Sequence, residues 1–309
     1  MPIARAPGRV NLIGDHTDYQ SGFCLPMAVD RELQIAFEAA ATTRVPGVGS
    51  EWLDALGATP AFEATIESSI PVGAGLSSSA ALAVALCLTR AHLRDEPLGG
   101  RELALAAQAL EQRATGVPCG VMDQMASVFG TAGHALLLDC RSLDVNPRPL
   151  PSDVAVVVIH SGVTRLLSGG EYATRRAACE AAAARLGLTS LRDATRSQVA
   201  SDPFARHVVS ENARVLAFVD ALRASDMPQC GALMLHSHAS LRDDFKVSTP
   251  ALDELVERAV AHGAYGARLT GAGFGGCVVA LVAEARAGAL AADLDGWVVQ
   301  PAPGAGMIE

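Results

Sequence analysis

Lysine is almost missing from this chain. Lys246 is the only one, so arginine supplies nearly all of the positive charge. Positive residues are also in the minority: 24 Lys and Arg stand against 33 Asp and Glu, for a net charge of −9. A general nucleic-acid binder needs a basic face to displace counterions from phosphates, and this balance argues against one. No CxxC pair occurs. The seven cysteines, at 24, 87, 119, 140, 179, 230 and 277, are odd in number and widely spaced. Neither a disulfide framework nor a zinc site is expected from them; free, buried thiols in a reducing compartment are. The N-terminus, Met1-Pro-Ile-Ala-Arg5, lacks the charged-then-apolar pattern of a secretory signal. The most apolar stretch, Ala80 to Leu93, contains Arg90 and is too short to span a bilayer. The expectation is a cytoplasmic protein with no membrane partner. Internal repeats and long low-complexity linkers are absent as well.

What is present is a hydrophobic half. Of 309 residues, 50% are apolar, which suits a globular chain with a core of its own. The length fits two domains or one large one. Ile3–Ile13 reads as strand, turn and strand around Pro7 and Gly8. Leu33–Ala40, Phe62–Ile70, Ala135–Asp139, Val154–His160 and Cys277–Val282 read as further strands. Ser77–Leu93, Arg101–Thr115, Gly170–Leu186, Glu211–Ala224 and Pro250–His262 read as helices. Strands and helices mix without strict alternation, so an α+β fold is expected. The proline-rich run Asn146–Pro151 marks a break, dividing the chain into domains 1–150 and 151–309.

Pro71-Val-Gly-Ala-Gly-Leu-Ser-Ser-Ser79 is the first chemically loaded stretch. Glycines 73 and 75 let the backbone approach a ligand closely, and serines 77–79 can cap the helix that follows. A helix start presents free N–H groups and a partial positive charge, which suits phosphate. This is not a Walker A loop, because no Gly-Lys-Ser/Thr follows the glycines. A second cluster, Leu269-Thr-Gly-Ala-Gly-Phe-Gly-Gly-Cys277, suggests a loop pressed against something: the same nucleotide, or simply a tight turn between domains. Asp15, His16 and Asp18 form a compact polar trio of the kind that reads sugar hydroxyls, although a solvated turn has the same composition.

Four segments together resemble the galactokinase family of the GHMP kinase superfamily. They are Pro7-Gly-Arg-Val-Asn-Leu-Ile-Gly-Asp-His-Thr-Asp-Tyr19, the Pro71–Ala81 loop, Cys119-Gly-Val-Met-Asp-Gln124 and Thr270–Cys277. Weaker echoes are Glu171–Arg176 and His236–Phe245. The resemblance implies a two-domain α+β fold with the active site in the interdomain cleft. It implies transfer of the ATP γ-phosphate to the anomeric hydroxyl of galactose. Asp123 would orient or deprotonate that hydroxyl, and Arg9 would stabilise the transferring group. An arginine beside a carboxylate weakens it as a base, which favours orientation. Asp15, His16, Asp18, Gly120 and Tyr172, with Arg9 and Asp123, would bind the sugar. Pro71, Gly73, Ala74, Gly75, Leu76, Ser77, Ser78, Ser79, Trp52 and Gly273 would bind the nucleotide. Ser79 and Glu111 would hold Mg2+.

Two departures from the family pattern stand out. Asp15 replaces a glutamate that in the family reaches the sugar's C6 hydroxyl, one methylene longer. The Glu51–Pro60 segment, in a region that helps form the adenine pocket, is brief. The first departure keeps open a kinase for another hexose or a pentose. A non-catalytic sensor on the same fold is the reading from a different class. A monomer is expected.

Overall fold

The computed structural model describes residues 1–71, 73, 75–163 and 170–308. The first sheet is antiparallel, built from β1 (Ile3–Asn11), β3 (Pro26–Ala39), β4 (Phe62–Ser68) and the last strand, β11 (Gly306–Ile308), in the order β11-β1-β3-β4. Pro7 and Gly8 do not break β1 into two strands. The register shifts between Pro7 and Arg9, so the pair makes a bulge instead. The bulge brings β1 against the glycine-rich loop, where Arg9 N donates to Leu76 O at 3.1 Å. A Cβ on Gly8 would lie 2.7 Å from that same carbonyl, so the contact needs glycine.

Helix α1 (Ser50–Leu56), α2 (Ser78–Leu93), α3 (Gly100–Thr115) and α4 (Met122–Phe129) belong to this half. Helix α2 is apolar nearly all round, and Ala80, Ala81, Ala83, Val84, Ala85, Leu86 and Cys87 are all buried. Such a helix belongs inside, and it packs on β1 and β3. A small sheet, β2 (Phe23–Cys24), β5 (His134–Asp139) and β6 (Asp144–Pro149), runs in the order β2-β5-β6. Here the proline-rich run proves to be largely a strand rather than a linker. Strand β6 is at the sheet edge, where Pro147 and Pro149 need give no N–H to a further neighbour.

The second large sheet has the order β10-β7-β9-β8, from β7 (Val154–His160), β8 (Gly266–Thr270), β9 (Cys277–Ala283) and β10 (Gly296–Val299). Its helices are α5 (Glu171–Arg185), α6 (Pro203–Arg223), α7 (Met227–Asp243), α8 (Pro250–Ala261) and α9 (Glu284–Asp293). Strand β7 is apolar at nearly every position because both its faces are covered. Val154, Val156 and Val158 join the core shared with the first half, while Ala155, Val157 and Ile159 join a second core beneath α8 and α9. Helices α1, α4, α7 and α9 were not expected, and α6 starts at Pro203 rather than Glu211, behind an Asp202 cap that accepts from Ala205 N. After β10 the chain crosses back, with Val29 bridged to Pro301 and β11 on β1. The fold is a two-domain α+β architecture whose final strand returns to the first sheet. Among the described residues no helix is long and apolar enough to cross a membrane.

Candidate functional site

Arg9 follows the β1 bulge and is almost wholly buried, with its side chain 4% exposed. Its guanidinium clasps Asp123 with two bonds, Nε to Oδ1 at 2.6 Å and Nη2 to Oδ2 at 2.5 Å. Its Nη1 donates to Gly75 O at 2.8 Å. One side chain thus ties β1, the glycine-rich loop and the first turn of α4 together. Asp123 is not the cap of α4; Val121 holds that position without a side-chain bond. Ser77 is the N-cap residue of α2, but at φ +60° its hydroxyl turns away from the helix and donates to Asp123 Oδ2 at 2.5 Å. Loop, arginine and carboxylate form one hydrogen-bonded unit.

These groups open on a cavity of about 470 Å³. It is lined by Arg9, Asp15, His16, Asp18, Gly120, Asp123 and Tyr172, together with Gly73, Gly75, Ser77, Ser78, Ser79 and Glu111. Thr115, Val117, Cys119, Met122, Gly271 and Ala272 complete the wall; none had been assigned a site role from sequence, although Cys119, Met122, Gly271 and Ala272 lie within the quoted motifs. Trp52, Pro71, Leu76 and Gly273 are not among the lining residues. Trp52 packs against the first core from α1, and Leu76 is itself core. Gly273 abuts Val247, whose O lies 2.4 Å from where its Cβ would be. Ala74 lies outside the described residues.

Asp18 presents Oδ2 to Met122 N at 3.4 Å, beside Gly120. A Cβ on Gly120 would sit 1.7 Å from that oxygen, so glycine makes room for the carboxylate. Burial, reinforced by the Asp123 charge, pushes Asp18 up to about 6. Tyr172, in the first turn of α5, accepts from Gly120 N at 3.4 Å and sets its ring 5.5 Å from that of His16. His16 meets Ala272 O through Nε2 at 3.2 Å and the Tyr19 hydroxyl through Nδ1 at 3.0 Å. Asp15 is 1% exposed: Oδ1 accepts from Gly271 N at 2.9 Å, and Oδ2 faces Arg268 Nη2 at 2.6 Å in an ion pair whose geometry closes no hydrogen bond. Burial raises its pKa against the opposing pull of Arg268 and Arg9.

Glu111, on α3, is nine-tenths buried and takes Gln124 Nε2 at 2.5 Å. Burial pushes it up to about 7, although a hydrogen bond from Ser79 pulls the other way. Behind the cavity are charges that the motifs did not flag: Arg268, Glu211, Arg214 and His207. The signal available for Arg268 was a charged residue interrupting the apolar lead-in to the second glycine cluster.

The two glycine-rich segments therefore meet at one cavity, against the polar trio and the Asp123 turn. Comparison with known proteins identifies the family of the chain that carries them. Residues 2–39 match the galactokinase galactose-binding signature, 45–131 the GHMP kinases N terminal domain and 218–297 the GHMP kinases C terminal. A galactokinase of Chloroflexus aurantiacus is 43% identical over 96% of this chain and 88% of its own length. A galactokinase of Chloroflexus aggregans is 44% identical over 91% and 83%. The crystal structure of Lactococcus lactis galactokinase complexed with galactose superposes with a TM-score of 0.92 at 27% identity, covering 98% of this chain and 94% of that one. The crystal structure of L. major mevalonate kinase in complex with R-mevalonate shares the fold, with a TM-score of 0.71 at 19% identity over 97% of this chain and 95% of that one. With relatives this similar along nearly the whole chain, the protein belongs to the galactokinase family of GHMP kinases and is an ATP-dependent sugar kinase.

Proposed function

We propose that the protein phosphorylates galactose at its anomeric hydroxyl, giving galactose 1-phosphate. The observation that carries this is the Arg9–Asp123 clasp, closed onto the glycine-rich loop through Gly75 O and Ser77. It brings a cation and an oriented carboxylate to the point where a phosphate-binding loop meets a polar pocket. Phosphoryl transfer asks mainly for such positioning and charge stabilisation.

The residues divide the work as follows. Gly73, Gly75 and Ser77–Ser79, at the start of α2, receive the nucleotide phosphates. Asp18, His16, Gly120 and Tyr172 surround the sugar. Asp123 Oδ1 accepts one bond from Arg9, which leaves a lone-pair position for the anomeric hydroxyl. Oδ2 is held by both Arg9 and Ser77. A carboxylate so engaged favours orientation of the hydroxyl, with its proton leaving late. Arg9 offsets the charge of the transferring group.

Ser79 and Glu111 suit a divalent cation. Glu111 is a buried carboxylate held up at about 7, beside a hydroxyl, and a cation there would favour its charged form. Among the described residues no three His, Cys, Asp or Glu side chains converge on a metal position. Mg2+ takes one or two protein ligands and completes its shell with phosphate and water. When bound, it supplies neutralising charge to the β- and γ-phosphates. The division of the chain into 1–150 and 151–309 is kept as our reading of the organisation, with the tail that carries β11 crossing back.

The test is coupled ADP release with Mg-ATP and galactose, glucose, galactosamine, N-acetylgalactosamine, arabinose or no sugar. Release with galactose alone is expected. Release with a different sugar instead selects the second reading, which the engaged oxygens of Asp15 favour. Binding of sugar and ATP without any release identifies a sensor and rejects the catalytic reading.

A further inference from the structure

Arg268, on β8, is the largest fully buried side chain among the described residues, at 0% exposure. Its Nη2 is 2.6 Å from Asp15 Oδ2 and 3.9 Å from Glu211 Oε1, and its Nη1 donates to Asn11 O at 3.3 Å. Glu211, on α6, is also 0% exposed, and accepts from Gly14 N at 3.0 Å and from the Ser237 hydroxyl at 2.5 Å. Its second oxygen takes Arg214 Nε at 2.6 Å. The stretch from Asn11 to Asp15, which leads into the cavity-lining His16 and Asp18, is thus gripped from the second half of the chain.

Two carboxylates and two arginines balance in this dry interior. Removing Arg268 would leave Glu211 with Arg214 and Asp15 with only the pull of Arg9 among the described arginines that act on them. A buried charge that loses its partner is costly, whereas removing both partners leaves no orphan. Asp15 has almost no exposed surface, its Oδ1 is bonded to Gly271 N and its Oδ2 is held in an ion pair by Arg268, so its carboxylate is fixed at the cavity wall by groups of the second half.

We propose that Arg268 is the positioning residue of the sugar-facing loop, and that it holds Asp15 as an anchor rather than as a reader of sugar hydroxyls. The proposal rests on the sugar-kinase reading above and refines it. Recognition then falls to Asp18 and Tyr172, which the anchored loop and its neighbours present to the cavity beside the His16 ring.

The experiment is steady-state kinetics, with unfolding midpoints, on Asp15→Asn, Arg268→Lys, Arg268→Met and the double variant Arg268→Met/Asp15→Asn. Asp15→Asn keeps the shape and should raise the sugar KM by less than about fivefold. Arg268→Met should raise it by more than about tenfold while the ATP KM moves less than about twofold. The double variant should recover most of that loss, because the stranded charge is gone; simple loss of structure would not be rescued by a second substitution. Asp15→Asn raising the sugar KM by about a hundredfold, by the same factor with or without Arg268, overturns the proposal. If Arg268→Met does not fold, Asp15→Asn and Arg268→Lys decide by the same thresholds. If the unmodified protein turns over no sugar, the catalytic reading has failed by itself. The same ratios are then taken from galactose binding by calorimetry, and a protein that binds no galactose overturns both.

Discussion

At the scale of single residues, the site is an arrangement of buried charges that each need a named partner. Asp123 is useful because Arg9 and Ser77 fix it. Asp123→Asn should lower kcat by about a thousandfold, with ATP affinity by equilibrium titration nearly unchanged. Ser77→Ala removes one bond to a charged acceptor and should lower kcat by about tenfold. Asp18 carries the pH dependence. With its pKa raised to about 6, it is an anion at neutral pH and takes up a proton as pH falls through that value. Protonation replaces an acceptor with a donor, so the sugar KM should climb below about pH 6 in a profile from pH 5 to 8. A flat profile would count against Asp18 as the hydroxyl reader.

At the scale of elements, the close approach of α7 to β8 is what sets Arg268 in place. Gly231 and Gly266 face one another there; a Cβ on Gly231 would lie 1.9 Å from Tyr265 O. Gly231→Ala must push helix and strand apart, and overpacking of this kind costs about 1–3 kcal/mol, readable from urea unfolding. The elements also show how far local pattern reaches. Helices α2, α3, α5 and α8 and strands β4, β5, β7 and β9 follow from periodicity and apolar runs, because their own residues carry the signal. Helix α7 was hidden: its Met227–Asp243 sequence mixes Ser and His among apolar residues, and those polar groups are paired by tertiary contacts. Pro147 and Pro149 suggested a break in regular structure, yet an edge strand tolerates them.

At the scale of the molecule, the halves are joined by the returning strand and by the buried ion network, and the network makes stability pH-dependent. Burial would raise Glu211, but Arg214, His207 and Arg268 outweigh it and bring its pKa down to about 2. Its contribution is present above its ordinary pKa of 4.5 and is lost as pH falls toward 2. Burial holds His207 and His238 down to about 4, so the unfolded chain takes their protons first and stability also drops as pH falls from 6.5 to 4. Asp18 and Glu111, raised by burial to about 6 and 7, act in the opposite sense. Opposing groups share the mildly acidic range, and in the most acidic one Glu211 acts with Asp139 and Asp243, which their arginine partners also hold down. The unfolding midpoint should therefore change little from about pH 6.5 to 5 and fall steeply below about pH 4. In Glu211→Gln that steep fall should be blunted.

By itself, the sequence determined the chemistry at hand. It carried the glycine-rich loop, the Asp-His-Thr-Asp turn and the Asp123 segment, each legible because its residues are contiguous and their types are demanded by local geometry. It also indicated the mixed α+β class through periodicity. Only the tertiary structure decided which of these groups are committed to one another. Arg9 and Asp123 are 114 residues apart, and Asp15 finds Arg268 across the two halves. Ser77 abandons helix capping because Asp123 is within reach of its hydroxyl. Trp52 packs into the first core and away from the cavity lining. A side chain's partner in a dry interior depends on which distant segment the fold delivers to it, and no spacing along the chain encodes that.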